Sequence, residues 1–503
     1  MALRSDLVQH VLRNTFGFDA LRPEQGPVID RVLGIDRTEG DALVVWPTGS
    51  GKSLCCQLPA LVKARERALA RESPGVCLVF SPLIALMEDQ VSVLRARGVR
   101  AQYVNSTVAK ATREKRYATL AKGGYDLMYA TPERMEREAF VEALRAVPGG
   151  VHLLAVDEAH CISKWGHDLR PAYQRVGEFK RLLGSPRTIA LTATATRTVR
   201  DDIRAVLGDD ETSMPLFATG IERPNLSMTV EPVWDDDDKV TRIGEIAREM
   251  GGTGIVYFAL IKDLERMTDE VRRALGGDFD IDIYHGRLDP KQKKRVYRKF
   301  VEATPDRPLL LCATNAFGMG VDKPDIRFIV HAQVPGSVEA YYQEIGRAGR
   351  DGDPSACVLL YSQDDLAIQH EFTRWMNPPA DLLMSTMAQI ARRYGGDAGG
   401  QSGHATFDAD DLRLDVIGKG HAHGMGGGIV EYALISLAKY GAIEPVDGGD
   451  GRSRYRFVRE LDDIEISAEE IEAKTKRDLG RLLEVVRMTQ ADDVPAFLRR
   501  YFD

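Results

Sequence analysis

The sequence predicts an α/β protein: two parallel-sheet domains in tandem, followed by a smaller winged-helix-like and helical C-terminal region. Three observations predict it. Short apolar runs alternate with helical patterns as far as residue 365, that rhythm occurs twice, and the remainder switches to three helices and a hairpin. The 503 residues also exceed what one hydrophobic core usually spans, about 250–300 residues.

In chain order the first set of runs is Ala42–Trp46, Val76–Phe80, Ala101–Val104, Asp126–Ala130, Val151–Val156 and Arg187–Leu191. Each is short, rich in Val, Ile and Leu, and closed by a polar or Gly/Pro turn. Continuous apolar runs of this length suit strands buried on both faces of a parallel sheet. Gly208, Pro215, Gly220 and Pro224 mark a join. The rhythm resumes with Gly254–Phe258, Asp280–Tyr284, Pro308–Ala313, Arg327–His331 and Cys357–Tyr361. The acidic run Asp235–Asp238 suits a solvated helix N-terminus. Farther on, Asp381–Tyr394 has helical spacing and Phe407–Val416 suits a second short helix. Ile429–Tyr440 places Ile429, Ala433, Leu434 and Leu437 on one helical face. Glycine-rich stretches, Gly395–Gly403 and Gly418–Gly428, separate these helices. Ile443–Val446 and Tyr455–Val458, joined by Asp447–Gly451, read as a hairpin. Ala468–Met488 is helical and charged. The expected domains are 1–221, 222–365, 366–461 and a helical segment 462–503.

Hydrophobic residues at 44% and charged residues at 28% exclude a mainly disordered or fibrous chain. The longest apolar stretch, Val76–Met87, is broken by Ser81 and Pro82 and falls short of the ~20 residues a membrane span needs. The first residues carry no secretory pattern. The expectation is a cytoplasmic protein, nucleoid-associated if prokaryotic, with no membrane partner. Cys55, Cys56, Cys77, Cys161, Cys312 and Cys357 include no C-x-x-C pair, which speaks against disulfides and a thiolate zinc site. A net charge of −8 does not advertise a nucleic-acid binder, but the local field in a groove decides contact.

Chemistry enters at Trp46-Pro-Thr-Gly-Ser-Gly-Lys-Ser53, between a strand and a helix. Backbone N–H groups of Thr48, Gly49, Ser50 and Gly51 can close around phosphates, Lys52 can reach the β and γ phosphates, and Ser53 can bind Mg²⁺. The first position is Trp46 where the usual loop has Gly; a plain glycine turn is the simpler alternative. Ala155-Val-Asp-Glu-Ala-His160 ends another strand. Asp157 can hold Mg²⁺ through water, and Glu158 can orient and deprotonate the attacking water. Alone such a pair is often a solvated turn; beside a phosphate loop it becomes specific. In Gln343-Glu-Ile-Gly-Arg-Ala-Gly-Arg350, Arg347 and Arg350 are three apart, so on a helix both point the same way. They read either as surface cations or as arginine fingers, worth about 10³–10⁵ in rate.

These motifs, in this order over about residues 10–365, resemble the RecQ family of DNA helicases in the second helicase superfamily. The resemblance implies two RecA-like domains with ATP and Mg²⁺ bound in their cleft. Phe16-Gly-Phe-Asp-Ala-Leu-Arg-Pro-Glu-Gln25 resembles the adenine-reading motif, which implies stacking by Phe18 or Arg22 and a hydrogen bond from Gln25. Ser81–Gln90 and Ala130–Arg134 resemble strand-contacting motifs, and Leu191–Thr196 the coupling motif. Ala313–Asp322 resembles the fifth motif, whose Asp322 faces the nucleotide, and Gln343 stands in the arginine motif. The narrowest match is Cys161-Ile-Ser-Lys-Trp-Gly-His-Asp-Leu-Arg-Pro-Ala-Tyr173, which resembles the loop that senses single-stranded DNA. It implies DNA contact by Trp165, His167 and Arg170, with stacking worth about 1–3 kcal/mol per base. Leu169 replaces the aromatic usual there.

Other departures lie downstream. Tyr257-Phe-Ala-Leu-Ile261 lacks the polar pair usual at its place. The family often carries a four-cysteine zinc module, but no cysteine follows Cys357. Arg487–Asp503 resembles the helix that opens that module, with Val494 where a ligand cysteine would stand. No zinc is expected; His421 and His423 read as solvated loop residues. Arg452, Arg454 and Arg456 alternate with Ser453, Tyr455 and Phe457, which puts the three cations on one strand face. That pattern fits duplex phosphate contact and a solvated hairpin equally.

The resemblance implies an ATP-dependent DNA helicase moving 3′-to-5′ on single-stranded DNA, with single/double-strand junctions as partners. An ATP-driven remodeller that leaves strands paired, and a DNA-binding scaffold that hydrolyses nothing, are the rival readings.

Overall fold

A computed structural model describes residues 2–35, 40–105, 107–163, 171–220, 222–318, 321, 323–394, 406–408, 427–446, 454–458 and 466–503. Contacts divide the chain into two compact units. One holds Met1–Gln333, Glu339–Tyr361 and Ala491–Asp503; the other holds Val334–Val338 and Ser362–Gln490.

The first unit contains two parallel sheets. The strands of the first are β1 (Ala42–Val45), β2 (Val76–Phe80), β3 (Ala101–Val104), β4 (Leu127–Ala130), β5 (Val151–Val156), β6 (Arg187–Thr192) and β7 (Leu216–Ala218), ordered β3-β4-β2-β5-β6-β1-β7. Those of the second are β8 (Leu226–Pro232), β9 (Thr253–Tyr257), β10 (Asp280–Tyr284), β11 (Leu309–Ala313), β12 (Ile326–His331) and β13 (Ser355–Tyr361), ordered β10-β11-β9-β12-β13-β8. Burial on both faces explains the apolar runs. Ala42 and Val44 enter one core of the first sheet, and Leu43 and Val45 enter the other. A period of two sends successive side chains to opposite faces, so a strand covered on both sides must be apolar throughout.

The sequence expectation misses β7 and β8, which lie in and just after the join. Both are edge strands, and their burial is partial. Helix Asp236–Met250 begins inside the acidic run. The Asp235 side chain caps it by accepting from Asp238 N at 2.9 Å, while Asp236–Asp238 face the positive helix end.

The second unit packs helices against a three-stranded antiparallel sheet. Its strands are β14 (Thr406–Asp408), β15 (Ile443–Val446) and β16 (Arg454–Phe457), with β16 in the centre. Thr406–Asp408 is a strand where the sequence suggested a helix from Phe407; residues 409–416 lie outside the described residues. Phe407 enters the core beside Tyr455, with ring centroids 6.0 Å apart. Leu383, Met387 and Ile390 of helix Ala380–Tyr394 meet Ala433, Leu434 and Leu437 of helix Gly427–Lys439 there. The expected segment 462–503 divides: helix Ala468–Thr489 falls in the second unit and helix Val494–Phe502 in the first. No helix among the described residues is long and apolar enough to cross a membrane.

Candidate active site

The phosphate loop connects β1 to helix Leu54–Leu69. Gly49 and Gly51 have φ of +83° and +84°, a backbone region that side chains disfavour. A Cβ on Gly51 would stand 2.7 Å from Gln25 Nε2. Thr48 and Ser50 are half-buried, and Ser50 Oγ takes no hydrogen bond. Lys52 Nζ donates to the carbonyls of Trp46 at 2.8 Å and Pro47 at 3.0 Å. Burial lowers its pKa, against the pull of Glu158 and Asp157.

The residues assigned to adenine also strap this loop. Gln25 accepts from Arg22 N at 3.0 Å and donates through Nε2 to Gly51 O at 3.2 Å. Arg22 donates through its guanidinium to Gly49 O at 3.2 Å. Phe18 is exposed.

Asp157 and Glu158 follow β5, one strand away from β1 across β6. Ser81 Oγ donates to Asp157 Oδ2 at 3.3 Å, and Tyr173 OH donates to its carbonyl at 3.1 Å. Burial raises the Asp157 carboxyl pKa and the neighbouring Glu158 adds to it, while Lys52 opposes both. Glu158 holds φ +50°, a strained conformation for a residue with a side chain, of the kind that collects at functional sites. His160 Nδ1 lies 3.3 Å from Glu158 Oε2 and 2.9 Å from Thr192 Oγ1. Ser53 Oγ accepts from Gln90 Nε2 at 3.2 Å. The donor set fits Mg²⁺: hydroxyl and carboxylate oxygens are hard ligands, and a carboxylate whose charge burial disfavours is stabilised by a divalent cation.

The second sheet contributes Gln343, Arg347 and Arg350. Gln343 Nε2 reaches Thr194 Oγ1 at 3.5 Å. The arginines correct the sequence expectation of one shared helical face. Helix Val338–Ile345 ends before Gly346, and the chain turns through Gly349 at φ +54°. Arg347 folds inward, is buried, and donates to Gly318 O. Arg350 donates to Val321 O at 2.8 Å, and its Cδ lies 3.3 Å from where a Cβ on Gly49 would be. Of the two, only Arg350 is placed against the phosphate loop. Behind Arg347, His331 Nε2 lies 2.7 Å from Glu344 Oε2, and its ring stacks on Tyr257 at 5.5 Å.

Trp165, His167, Arg170, Asp322 and Arg452 lie outside the described residues, as do His421 and His423. On β16, Tyr455 and Phe457 are buried, Arg454 is half-buried and Arg456 is exposed. Sequence reasoning overlooked Ser81, Gln90 and His160 as individual site residues. All three stand inside motifs it quoted, but spacing alone does not show that Gln90 reaches back 37 residues to Ser53.

Two parallel sheets bearing a phosphate loop, a strand-end acid pair and an arginine segment define a nucleotide-dependent helicase core. Residues 22–202 match the DEAD/DEAH box helicase family and residues 238–352 the helicase conserved C-terminal domain. The chain is 36% identical over 386 residues to a Bacillus subtilis protein named "Probable ATP-dependent DNA helicase RecS", covering 76% of this chain and 73% of that one. It is 39% identical over 362 residues to the ATP-dependent DNA helicase RecQ of the same organism, covering 72% and 57%. The chain belongs to the RecQ family of ATP-dependent DNA helicases. Among solved structures, Mycobacterium smegmatis helicase Lhr bound to ssDNA and AMP-PNP shares the fold, with a TM-score of 0.53, 21% identity, and coverage of 83% of this chain and 55% of that one. Saccharomyces cerevisiae Dbp5 bound to RNA and ADP BeF3 does so at 0.55 and 17% identity, covering 72% and 90%.

Proposed function

We propose that this chain hydrolyses ATP to move 3′-to-5′ along single-stranded DNA and to separate duplex at single/double-strand junctions. The observation that carries the reading is Arg350, a residue of the second-sheet domain, lying against Gly49 of the phosphate loop. A cation delivered from one domain to the phosphate site of the other makes hydrolysis depend on how the domains stand. In this reading domains 1–221 and 222–365 close on ATP. Thr48–Gly51 and Lys52 hold the phosphates, and Lys52 exchanges its two carbonyl partners for them. Phe18, Arg22 and Gln25 hold the base, with Asp322 on the nucleotide side. Ser53 and Asp157 hold Mg²⁺, which on binding neutralises phosphate charge. Glu158 takes the proton of the attacking water, and His160 orients Glu158 from 3.3 Å. Gln343 links the arginine segment to Thr194, Arg350 stabilises the transition-state charge, and Arg347 anchors the turn that presents it. Trp165, His167 and Arg170 contact single-stranded DNA. Arg452, Arg454 and Arg456 of the winged-helix-like region 366–461 contact duplex phosphates.

Unwinding of tailed duplexes of both polarities, with ATPase controls lacking DNA, tests the reading. Trp165 follows Glu158 by seven residues, so a loop that orders on a base can act on Glu158. Trp165→Ala should weaken DNA binding roughly 5- to 150-fold. It should also leave the ATPase plateau below wild type at saturating single-stranded DNA. A wild-type plateau would reduce the loop to a contact surface.

A further inference from the structure

Helix Val494–Phe502 belongs by its contacts to the unit of the two large sheets, although the helix before it belongs to the other unit. Val494, Leu498 and Phe502 recur every fourth residue and form its buried stripe. Four contacts leave its last turns. Tyr501 OH donates to Glu339 Oε1 at 2.8 Å, and Phe502 packs on Tyr342 with centroids 5.2 Å apart. Arg499 pairs with Glu222 at 2.9 Å, and the Asp503 carbonyl accepts from Arg200 at 2.5 Å.

The partners explain why this matters. Glu339 and Tyr342 are three apart on Val338–Ile345, the helix that carries Gln343 and leads to Arg347 and Arg350. Arg200 lies on helix Arg197–Leu207, directly after the segment whose Thr194 meets Gln343. One short helix therefore grips both sides of the contact that joins the two sheet domains. Glu339 is buried and its Oε2 takes no hydrogen bond, so the Tyr501 hydroxyl is a large share of what satisfies that carboxylate.

We propose that helix Val494–Phe502 is a brace in which Tyr501 and Phe502 are positioning residues. Acting through Glu339 and Tyr342, they fix where the arginine segment stands against the phosphate loop. The proposal rests on the role given above to Arg350. The four contacts of the brace end on Glu339, Tyr342, Glu222 and Arg200, away from Gln25, Lys52 and Ser53 in sequence and on other elements, so it should govern turnover and leave ATP binding alone.

The test is steady-state ATPase of the full chain at saturating single-stranded DNA. Tyr501→Phe should lower kcat roughly threefold and Phe502→Ala roughly tenfold, with KM for ATP held within about twofold. Glu339→Ala should match Tyr501→Phe, and the two together should be no worse than either. Glu339→Gln keeps the acceptor and should restore most of the rate. Wild-type kcat in both Tyr501→Phe and Phe502→Ala, while Arg350→Ala is inactive, overturns the brace alone. So does a loss accounted for by the fraction of unfolded protein, read from thermal melts of the same samples. Wild-type turnover in Arg350→Ala overturns the functional reading instead.

Discussion

Lys52 and Glu158 are held by different means, and each implies a different variant phenotype. Lys52 is tied to two carbonyls of its own loop, whereas Glu158 sits in a strained backbone conformation beside His160. Lys52→Ala should abolish hydrolysis by removing the phosphate-facing charge. Glu158→Gln should bind ATP yet fail to turn it over, because the amide cannot take a proton. Fluorescent-nucleotide binding and phosphate release on the same samples separate the two; near-normal DNA-stimulated turnover in Glu158→Gln would remove it as the base. These residues were legible in the sequence because a phosphate loop and a strand-end acid pair are contiguous motifs. The difference between Arg347 and Arg350 was not, since helical spacing assumes a helix. Gly346 and Gly349 in that stretch were the available sign that the chain turns there. Away from the site, His152 on β5 supplies a pH effect. Neither ring nitrogen has a hydrogen bond, and burial, with Lys63, Arg67 and Arg187 adding to it, pushes its pKa from 6.5 down to about 3. The unfolded chain therefore takes up the proton first. The stabilising contribution is whole above about pH 6.5 and fades as pH falls toward 3. His152→Gln should lose less of its urea midpoint than wild type between pH 7.5 and pH 5; equal losses would show that His152 does not set that limb.

At the scale of elements, what could be read depended on burial. Strands covered on both faces are apolar throughout and were legible, as β2 (Val-Cys-Leu-Val-Phe) shows. Edge strand β8 reads Leu-Ser-Met-Thr-Val-Glu-Pro, a mixed pattern that solvent on one side permits. Three-residue strands such as β7 and β14 carry too few side chains to show a period; their pairing partners create them. The alternation along β16 was legible, because Tyr455 and Phe457 have a core to enter. Arg454 and Arg456 alternate with these two aromatics along the strand. If they meet duplex phosphates, Arg454→Ala with Arg456→Ala should flatten the log–log salt dependence of duplex binding by about one unit per contact, with ATP hydrolysis on single-stranded DNA unchanged. An unchanged slope would leave β16 a solvated face.

For the whole molecule, the question is whether a metal supports the fold or only the chemistry. All six cysteines are buried, and none is in a disulfide. Burial raises the Cys55 and Cys357 thiols to about 12 and Cys312 to about 11, which keeps the thiolate, the form that ligates zinc, scarce. No group of three or more His, Cys, Asp or Glu among the described residues could hold a metal ion. Val494, which by resemblance stands where a ligand cysteine would, is buried and opens a helix capped by Asp493 accepting from Ala496 N at 2.9 Å. A helix closed by its own cap and an apolar stripe needs no metal to fold, whereas a structural zinc site contributes its binding energy to folding. Prolonged dialysis against EDTA should therefore leave the melting temperature and circular dichroism unchanged. It should abolish ATP hydrolysis, and Mg²⁺ alone should restore it, because Ser53 and Asp157 offer oxygen ligands only. A melting temperature that falls on chelation and returns with zinc but not with magnesium would show that a zinc site holds part of this fold.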